Sequence, residues 1–228
     1  MRTKNILNFI LLIIFIIFLG GCGSEDILNQ TDNLDFSVQS KTDTLADNSI
    51  LLIDTAKILI KDIKLNPLNN NNDTTNFKVG PFVLYLNFDA RVTKVTSGMI
   101  PIGSYDKIRF MIHKLENNEP VPDPDFADSN GRYSAVVKGR YNGIPFVFKS
   151  DKSAHQKLNM LNVLIVRSTG TTNVTLRVQP YIWFIKNGVY LDPNDPANKS
   201  DIENNIKDNI NQNIKAFTDN NRDGEPDL

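Results

Sequence analysis

The sequence predicts an all-β chain, an antiparallel β-sandwich with one C-terminal amphipathic helix. Three observations carry this expectation. Short apolar segments with period-2 alternation recur between Ile50 and Val178. Turn signals separate them, among them Asn142-Gly143 and the prolines of residues 116–131. Helical spacing first appears at Lys199, whereas a parallel α/β sheet would need helices between its strands.

Before the strands stands an address. Arg2 and Lys4 precede an unbroken apolar run, Phe9 to Leu19, shorter than the roughly 20 residues a helix needs to cross a bilayer. Leu19-Gly20-Gly21-Cys22 resembles a bacterial lipobox. The resemblance implies cleavage before Cys22, a diacylglycerol on its thiol and an acylated amine. Two or more acyl chains anchor stably, at about 0.8 kcal/mol per buried methylene. Residues 1–21 are therefore expected to be a lipoprotein signal peptide, and the polar residues 22–48 a lipid-anchored flexible tether. Ser24-Glu25-Asp26 resembles the Ser-plus-acid signal that sends some Bacteroidetes lipoproteins to the outer face of the outer membrane.

Residues 49–192 are expected to form the sandwich. Ile50 to Leu65 is apolar and β-branched, and its alternation changes phase between Ile58/Ile60 and Ile63/Leu65, which predicts a bulge or a strand buried on both sides. Pro81 to Thr93 puts Phe82, Leu84, Leu86, Phe88, Ala90 and Val92 on one face. Ile108, Phe110 and Ile112 alternate into the interior of the next strand, and Tyr105 is placed to bridge back to backbone. Around Asn142-Gly143 a two-residue type I′ turn pairs Tyr141 with Ile144, Gly139 with Phe146 and Val137 with Phe148. Phe146 then covers the gap left by Gly139. Residues 156–166 and 173–178 supply two further strands. Trp183, the only tryptophan, sits beside Tyr181 and Phe184 as a plug for the core or a platform for a ligand.

Residues 193–228 are expected to hold the helix and an acidic tail. Ile202, Ile206, Ile210, Ile214 and Phe217 form one helical stripe, with Ser200 and Glu203 as a capping box. The tail, Asp219 to Asp227, resembles the Asp-x-Asn-x-Asp-Gly-x-x-Asp core of calcium loops in thrombospondin type 3 and dockerin repeats. Asp219, Asn221 and Asp223 occupy loop positions 1, 3 and 5, Glu225 offers its carbonyl at position 7, and Asp227 stands at position 9. The bidentate acid of position 12 is missing, so the resemblance implies a weak Ca²⁺ site; the alternative is a solvated acidic tail. Asp123, Asp125 and Asp128 in the proline-rich loop match no calcium spacing and read as a solvated acidic loop.

Composition narrows the function. The 25 basic and 26 acidic residues nearly balance, and loss of Arg2 and Lys4 with the signal leaves 23 against 26, a net −3, which offers no field for nucleic acid. Acylation of the single cysteine, Cys22, leaves no thiol for disulfides or metal. His113 and His155 have no His or Cys at ligand spacing, and no hydrolase, Walker or dinucleotide pattern appears. The segments KILIKDIKL, IPIGSYDKIRF and NVTLRV resemble those of an uncharacterised prealbumin-like β-sandwich domain of bacterial envelope lipoproteins. That family brings no established activity. The expectation is a non-enzymatic cell-envelope protein, lipid-anchored to the outer membrane, acting as a binding, structural or adhesive module with a protein or glycan partner. The alternative is a solute-capture lipoprotein, with glycans as candidates, serving a transporter.

Overall fold

The computed structural model describes residues 32–40, 50–68, 74–208 and 214–228, all within one compact unit, Asp32–Leu228. The expected signal peptide, Cys22 and Ser24-Glu25-Asp26 lie outside the described residues.

β1 (Leu34–Ser40) corrects the expected tether of residues 22–48 over its own span. Leu34, Phe36 and Val38 enter the core at period 2, and the alternating Asp35, Ser37 and Gln39 are buried too. Their polarity concealed the strand. Hydrogen bonds from other parts of the chain make their burial tolerable, and those partners are far away in sequence.

β2 (Leu51–Pro67) is the longest strand and has three neighbours: β3 (Thr75–Leu86), β5 (Gly103–Ile112) and β8 (Ala135–Tyr141). Its register slips just after Ile60, so Ile58 and Ile60 before the slip and Ile63 and Leu65 after it reach the same core. Leu59 points the other way, into a small second core with Leu115, Phe126 and Val136. Both consequences expected of the phase change are thus present.

β3 ends at Leu86, earlier than the alternation through Val92 suggests, because Ala90 adopts a left-handed backbone, φ 61°, and the chain turns toward β4 (Thr93–Gly98). The Tyr105 hydroxyl donates to the Pro101 carbonyl at 2.8 Å, the expected bridge to backbone. After β5 the proline-rich loop folds through a 3-10 turn, Pro124–Phe126, and a two-stranded ribbon, β6 (Ala127–Asp128) with β7 (Gly131–Arg132). β8 and β9 (Ile144–Ser150) form the expected hairpin in the expected register, with Asn142 and Gly143 at φ 49° and 79°.

β10 (Ala154–Val166) and β11 (Thr172–Val178) follow. A 3-10 turn, Pro180–Phe184, then leads into the ribbon β12 (Ile185–Lys186) and β13 (Val189–Tyr190). Trp183 is fully buried there, as a plug. The helix α1 spans Lys199–Asp208 and buries Ile202 and Ile206. It starts from a 3-10 turn capped by Asp195, which accepts from the Ala197 N–H at 2.9 Å; Ser200, the expected cap, lies inside the helix.

The helix does not continue to Phe217. Ile214 and Phe217 belong to a last strand, β14 (Ile214–Thr218), and Ile210 lies outside the described residues. The error has a simple source: isoleucines spaced by four satisfy a period of 3.6 and a period of 2 alike.

The antiparallel sandwich is corrected as well. The strands join one strongly curled, mixed, half-barrel sheet in the order β4-β1-β11-β14-β10-β5-β2-β8-β9, with β3 on β2. β1 runs parallel to β11 and β10 runs parallel to β14. β14 pairs with β11 from end to end but meets β10 at one position, Met160↔Ala216. This is the seam between two halves of the sheet. Alternation fixes which face of a strand is buried and is silent on its neighbour and direction.

Candidate functional site

The C-terminal loop is built onto that seam. Leaving β14, the Asp219 N–H donates to the Asn173 carbonyl at 3.0 Å, and the Asp219 carbonyl accepts from Asn173 Nδ2 at 2.8 Å. This holds the Asp219 side chain in the interior at 0% exposure. Its Oδ2 accepts from Thr175 Oγ1 at 2.8 Å and from the Gly224 N–H at 3.2 Å; its Oδ1 is buried without a hydrogen-bond partner.

Left-handed backbone at Arg222 (φ 57°) and Gly224 (φ 83°) curls the loop back on itself. Asn221 Oδ1 accepts from the Asp223 N–H at 3.2 Å, Asp223 Oδ1 accepts from the Glu225 N–H at 2.8 Å, and Asn221 Nδ2 donates to Asp223 Oδ2 at 2.8 Å. Asp227 turns elsewhere: its carboxylate accepts from the Asn220 N–H and side chain at 3.0 and 2.6 Å, and its N–H donates to the Thr218 carbonyl at 2.9 Å. Asn162 of β10 donates to the Asp227 carbonyl at 2.9 Å and exchanges hydrogen bonds with Thr218, stitching the seam beside the single β10–β14 pairing.

The loop covers the polar face of β1 and β11. Arg222 reaches Asp35, and Lys94 approaches the same carboxylate at 2.7 Å. Burial pushes the Asp35 carboxyl up, but the Lys94 and Ser97 hydrogen bonds and the charges of Lys94 and Arg222 outweigh it and hold the group below the ordinary carboxylate range. Arg177 lies over the Phe217 ring at 4.9 Å and donates to Gln39 at 2.9 Å and to the Gly224 carbonyl. It also pairs with the Glu225 carboxylate at 2.9 Å.

Of the calcium residues expected from sequence, Asn221 and Asp223 are brought into contact with each other, and Asp219 is tied to the same loop at Gly224. Asp227 is spent on Asn220. Among the described residues no three His, Cys, Asp or Glu side chains are grouped to hold an ion. Of the donors expected from sequence, Asn221 Oδ1 and both Asp223 carboxylate oxygens accept hydrogen bonds within the loop, whereas the Asp219 carboxylate keeps one oxygen without a partner. The fit rests on Asp219 Oδ1: a buried carboxylate oxygen without a donor is costly, and a cation would satisfy it. The sequence reading missed Asp35, Gln39, Asn162, Asn173, Thr175 and Arg177, the residues that hold the loop in place.

The other acidic cluster is matched by lysines. Lys57 Nζ lies 2.8 Å from both Asp123 and Asp125, Lys138 reaches Asp125 at 2.7 Å, and Tyr85 donates to Asp123 at 2.7 Å. Lys149 and Tyr133 meet Asp128 at 2.7 and 2.8 Å. These pairs clamp the proline-rich loop to the outer face of the sheet, over the Phe126 core. Burial raises the Asp123 carboxyl, but Lys57, Tyr85 and the Asp125 N–H bring it down to about 2. A depressed carboxyl contributes stability in full above its unfolded pKa near 3.8 and loses it as pH falls toward 2. We expect about 2 kcal/mol of stability to disappear between pH 5 and 2 through Asp123. Chemical denaturation across that range checks this: Asp123→Asn should be less stable at pH 6 and flatter below pH 4, and a wild-type slope in the variant would reject it.

His113 is buried with Nε2 2.7 Å from Glu119 Oε2, whereas His155 is exposed on β10. No family model matches this chain, and no curated protein matches it. Among solved structures the chain is similar to MbnP from Methylosinus trichosporium, at 11% identity and a TM-score of 0.35, over 64% of this chain and 74% of that one. The likeness is a distant one between strand-rich domains.

Proposed function

We propose that the chain is a non-enzymatic, lipid-anchored protein of the cell envelope, held at the outer membrane through Cys22. Its strand-rich domain, of the prealbumin-like kind found in envelope lipoproteins, is a binding or structural module, and calcium on the C-terminal loop fastens its sheet. The anchor rests on the lipobox-like Leu19-Gly20-Gly21-Cys22, and the calcium part rests on Asp219, whose fully buried carboxylate keeps one oxygen without a partner. The loop in which it lies is tied to the seam between β10 and β14, so an ion bound there would stiffen a join that pairs at a single position.

Calorimetric titration of Ca²⁺ into the full chain in a neutral detergent tests it. The expected result is one site with Kd of about 10⁻⁴–10⁻³ M, the range of extracellular modules. Saturating Ca²⁺ should raise the melting temperature by a few degrees. Asp219→Asn should abolish binding and raise the calcium-free melting temperature, because it removes a buried carboxylate that is only half satisfied while keeping an acceptor for Thr175 and Gly224. Absence of binding heat, together with a calcium-free melting temperature lowered by Asp219→Asn, would overturn the proposal.

A second reading, capture of a solute such as a glycan for a transporter, is favoured by an open cleft of about 480 Å³ on the sheet between β2, β5 and β10.

A further inference from the structure

We infer that the domain docks on the bilayer that holds its acyl chains, through the end of the sheet at which the chain enters it. The inference deepens the reading of Cys22 as the anchor and rests on it. Hydrogen bonds fix the point of entry. The Asn33 N–H donates to the Gly98 carbonyl at 3.2 Å, and its side chain donates to the Ile100 carbonyl at 2.8 Å and accepts from the Ile100 N–H at 3.0 Å. The Asn33 carbonyl accepts from the Thr172 N–H at 3.1 Å, and Thr171 Oγ1 donates to the Asp32 carbonyl at 3.1 Å. The loop after β4 and the turn before β11 therefore flank Asp32 and Asn33.

Exposed apolar side chains gather at this end. Met99 stands between the two residues that Asn33 holds, and Ile102, 66% exposed, comes just before β5. Ser104 of β5 is opposite Ile165 of β10, and its carbonyl accepts at 2.7 Å from the N–H of Leu68, which follows the last residue of β2. Leu68 and Ile165 are both exposed, and Leu161 and Val163 continue the outward face of β10 at period 2, opposite the core residues Leu164 and Val166. Exposed apolar residues scattered singly need no explanation, whereas six at one end of a sheet mark a surface that meets a partner. Arg167, exposed at the end of β10, adds a guanidinium beside them, the arrangement that suits phosphate headgroups above acyl chains.

Chain length selects lipid as the cover. Cys22 and Asp32 are ten residues apart, a span of at most about 36 Å. A compact unit of the length of Asp32–Leu228 is roughly 40 Å across. With Cys22 acylated, the domain cannot turn its entry end fully away from the bilayer, so the apolar surface is held within reach of lipid.

Spin-label accessibility tests this on the full chain, exported with its acyl groups and reconstituted in vesicles of phosphatidylcholine and phosphatidylglycerol. Acylation leaves Cys22 without a free thiol, so a nitroxide attaches only at Ile102→Cys or, as control, at Ile144→Cys in the hairpin at the other end of β2. We expect oxygen, which concentrates in lipid, to relax the label at residue 102 several times more than aqueous nickel does, and nickel to prevail at residue 144. Nickel prevailing at residue 102 overturns the inference. Low accessibility to both reagents there would mean that protein covers the surface, a second copy or another segment of this chain, and also overturns it. Leu68→Asp combined with Met99→Asp should move a label at Ile165→Cys from lipid into water, and a label that stays in lipid would overturn the role of this surface. Mass spectrometry of the same sample keeps the two failures apart. Acyl groups on Cys22 with residue 102 in water remove the docking and leave the anchor, whereas a chain without them removes the anchor and the docking with it.

Discussion

Replacing Trp183 by alanine is expected to lower the stability of the domain by about 3–5 kcal/mol, the usual cost of emptying a buried aromatic site. For a domain of this size that is roughly 10 °C in melting temperature. Trp183 is 0% exposed and belongs to the main core together with Tyr181, Phe184, Ile202 and Ile206. Neighbouring rings are interlocked: Phe184 packs on Phe146 and Phe148 at centroid distances of 5.7 and 5.8 Å, so the turn that carries Trp183 also closes one end of the hairpin. The Trp183 carbonyl accepts from Asn205 Nδ2 at 2.9 Å, which ties α1 to the same turn. Loss of the indole would therefore loosen the helix and the hairpin together.

The tryptophan also carries a liability. Its indole N–H is buried without an acceptor, a desolvation cost of about 1–3 kcal/mol that the packing has to overcome. Trp183→Phe removes that donor along with part of the ring. We expect a loss of about 1 kcal/mol or less for phenylalanine, against several for alanine. Thermal unfolding followed by circular dichroism reads both. A phenylalanine variant as damaged as the alanine variant would show that the N–H has a partner after all, and an undamaged alanine variant would remove Trp183 from the core.

What the sequence made legible is local in origin. The hairpin was readable because Asn142-Gly143 sets the turn, and the turn sets every pair from Tyr141↔Ile144 outward. The sharp turn at Gly224, φ 83°, was readable for the same reason, since the glycine that permits it lies within the motif itself. β1 was hidden because Asp35, Ser37 and Gln39 look like solvent-facing residues, and only contacts with Arg222, Asn173 and Arg177, more than a hundred residues away, make them interior. The last strand was misread because a spacing of four residues suits helix and strand equally.

Gly139→Ala is the second large effect expected, and it separates two reasons for keeping a glycine. Gly139 sits in β8 opposite Ile53 of β2 on one side and Phe146 of β9 on the other. A methyl group there would overlap the Leu52 carbonyl oxygen, stand 3.1 Å from Ile53 Cα, and touch the Phe146 ring at 3.0 Å. The ring can swing aside, but the Leu52 carbonyl belongs to the central strand, whose register already slips between Ile53 and Thr55. Where space exists, alanine in place of glycine stabilises by about 0.4–1 kcal/mol through the unfolded chain. Here the backbone overlap should outweigh that gain and leave a net loss of about 3 kcal/mol, at the upper end for an overpacked core. Gly143→Ala is the contrast, because Gly143 has φ 79° and nothing within 4 Å of the added carbon, so its cost is conformational alone, about 1–2 kcal/mol. Denaturant unfolding of both variants should rank Gly139→Ala as the more damaging. Adding Phe146→Ala should fail to rescue it, since the obstacle is backbone; recovery in that double variant would place the clash on the ring and show that β2 and β8 can separate to admit a side chain.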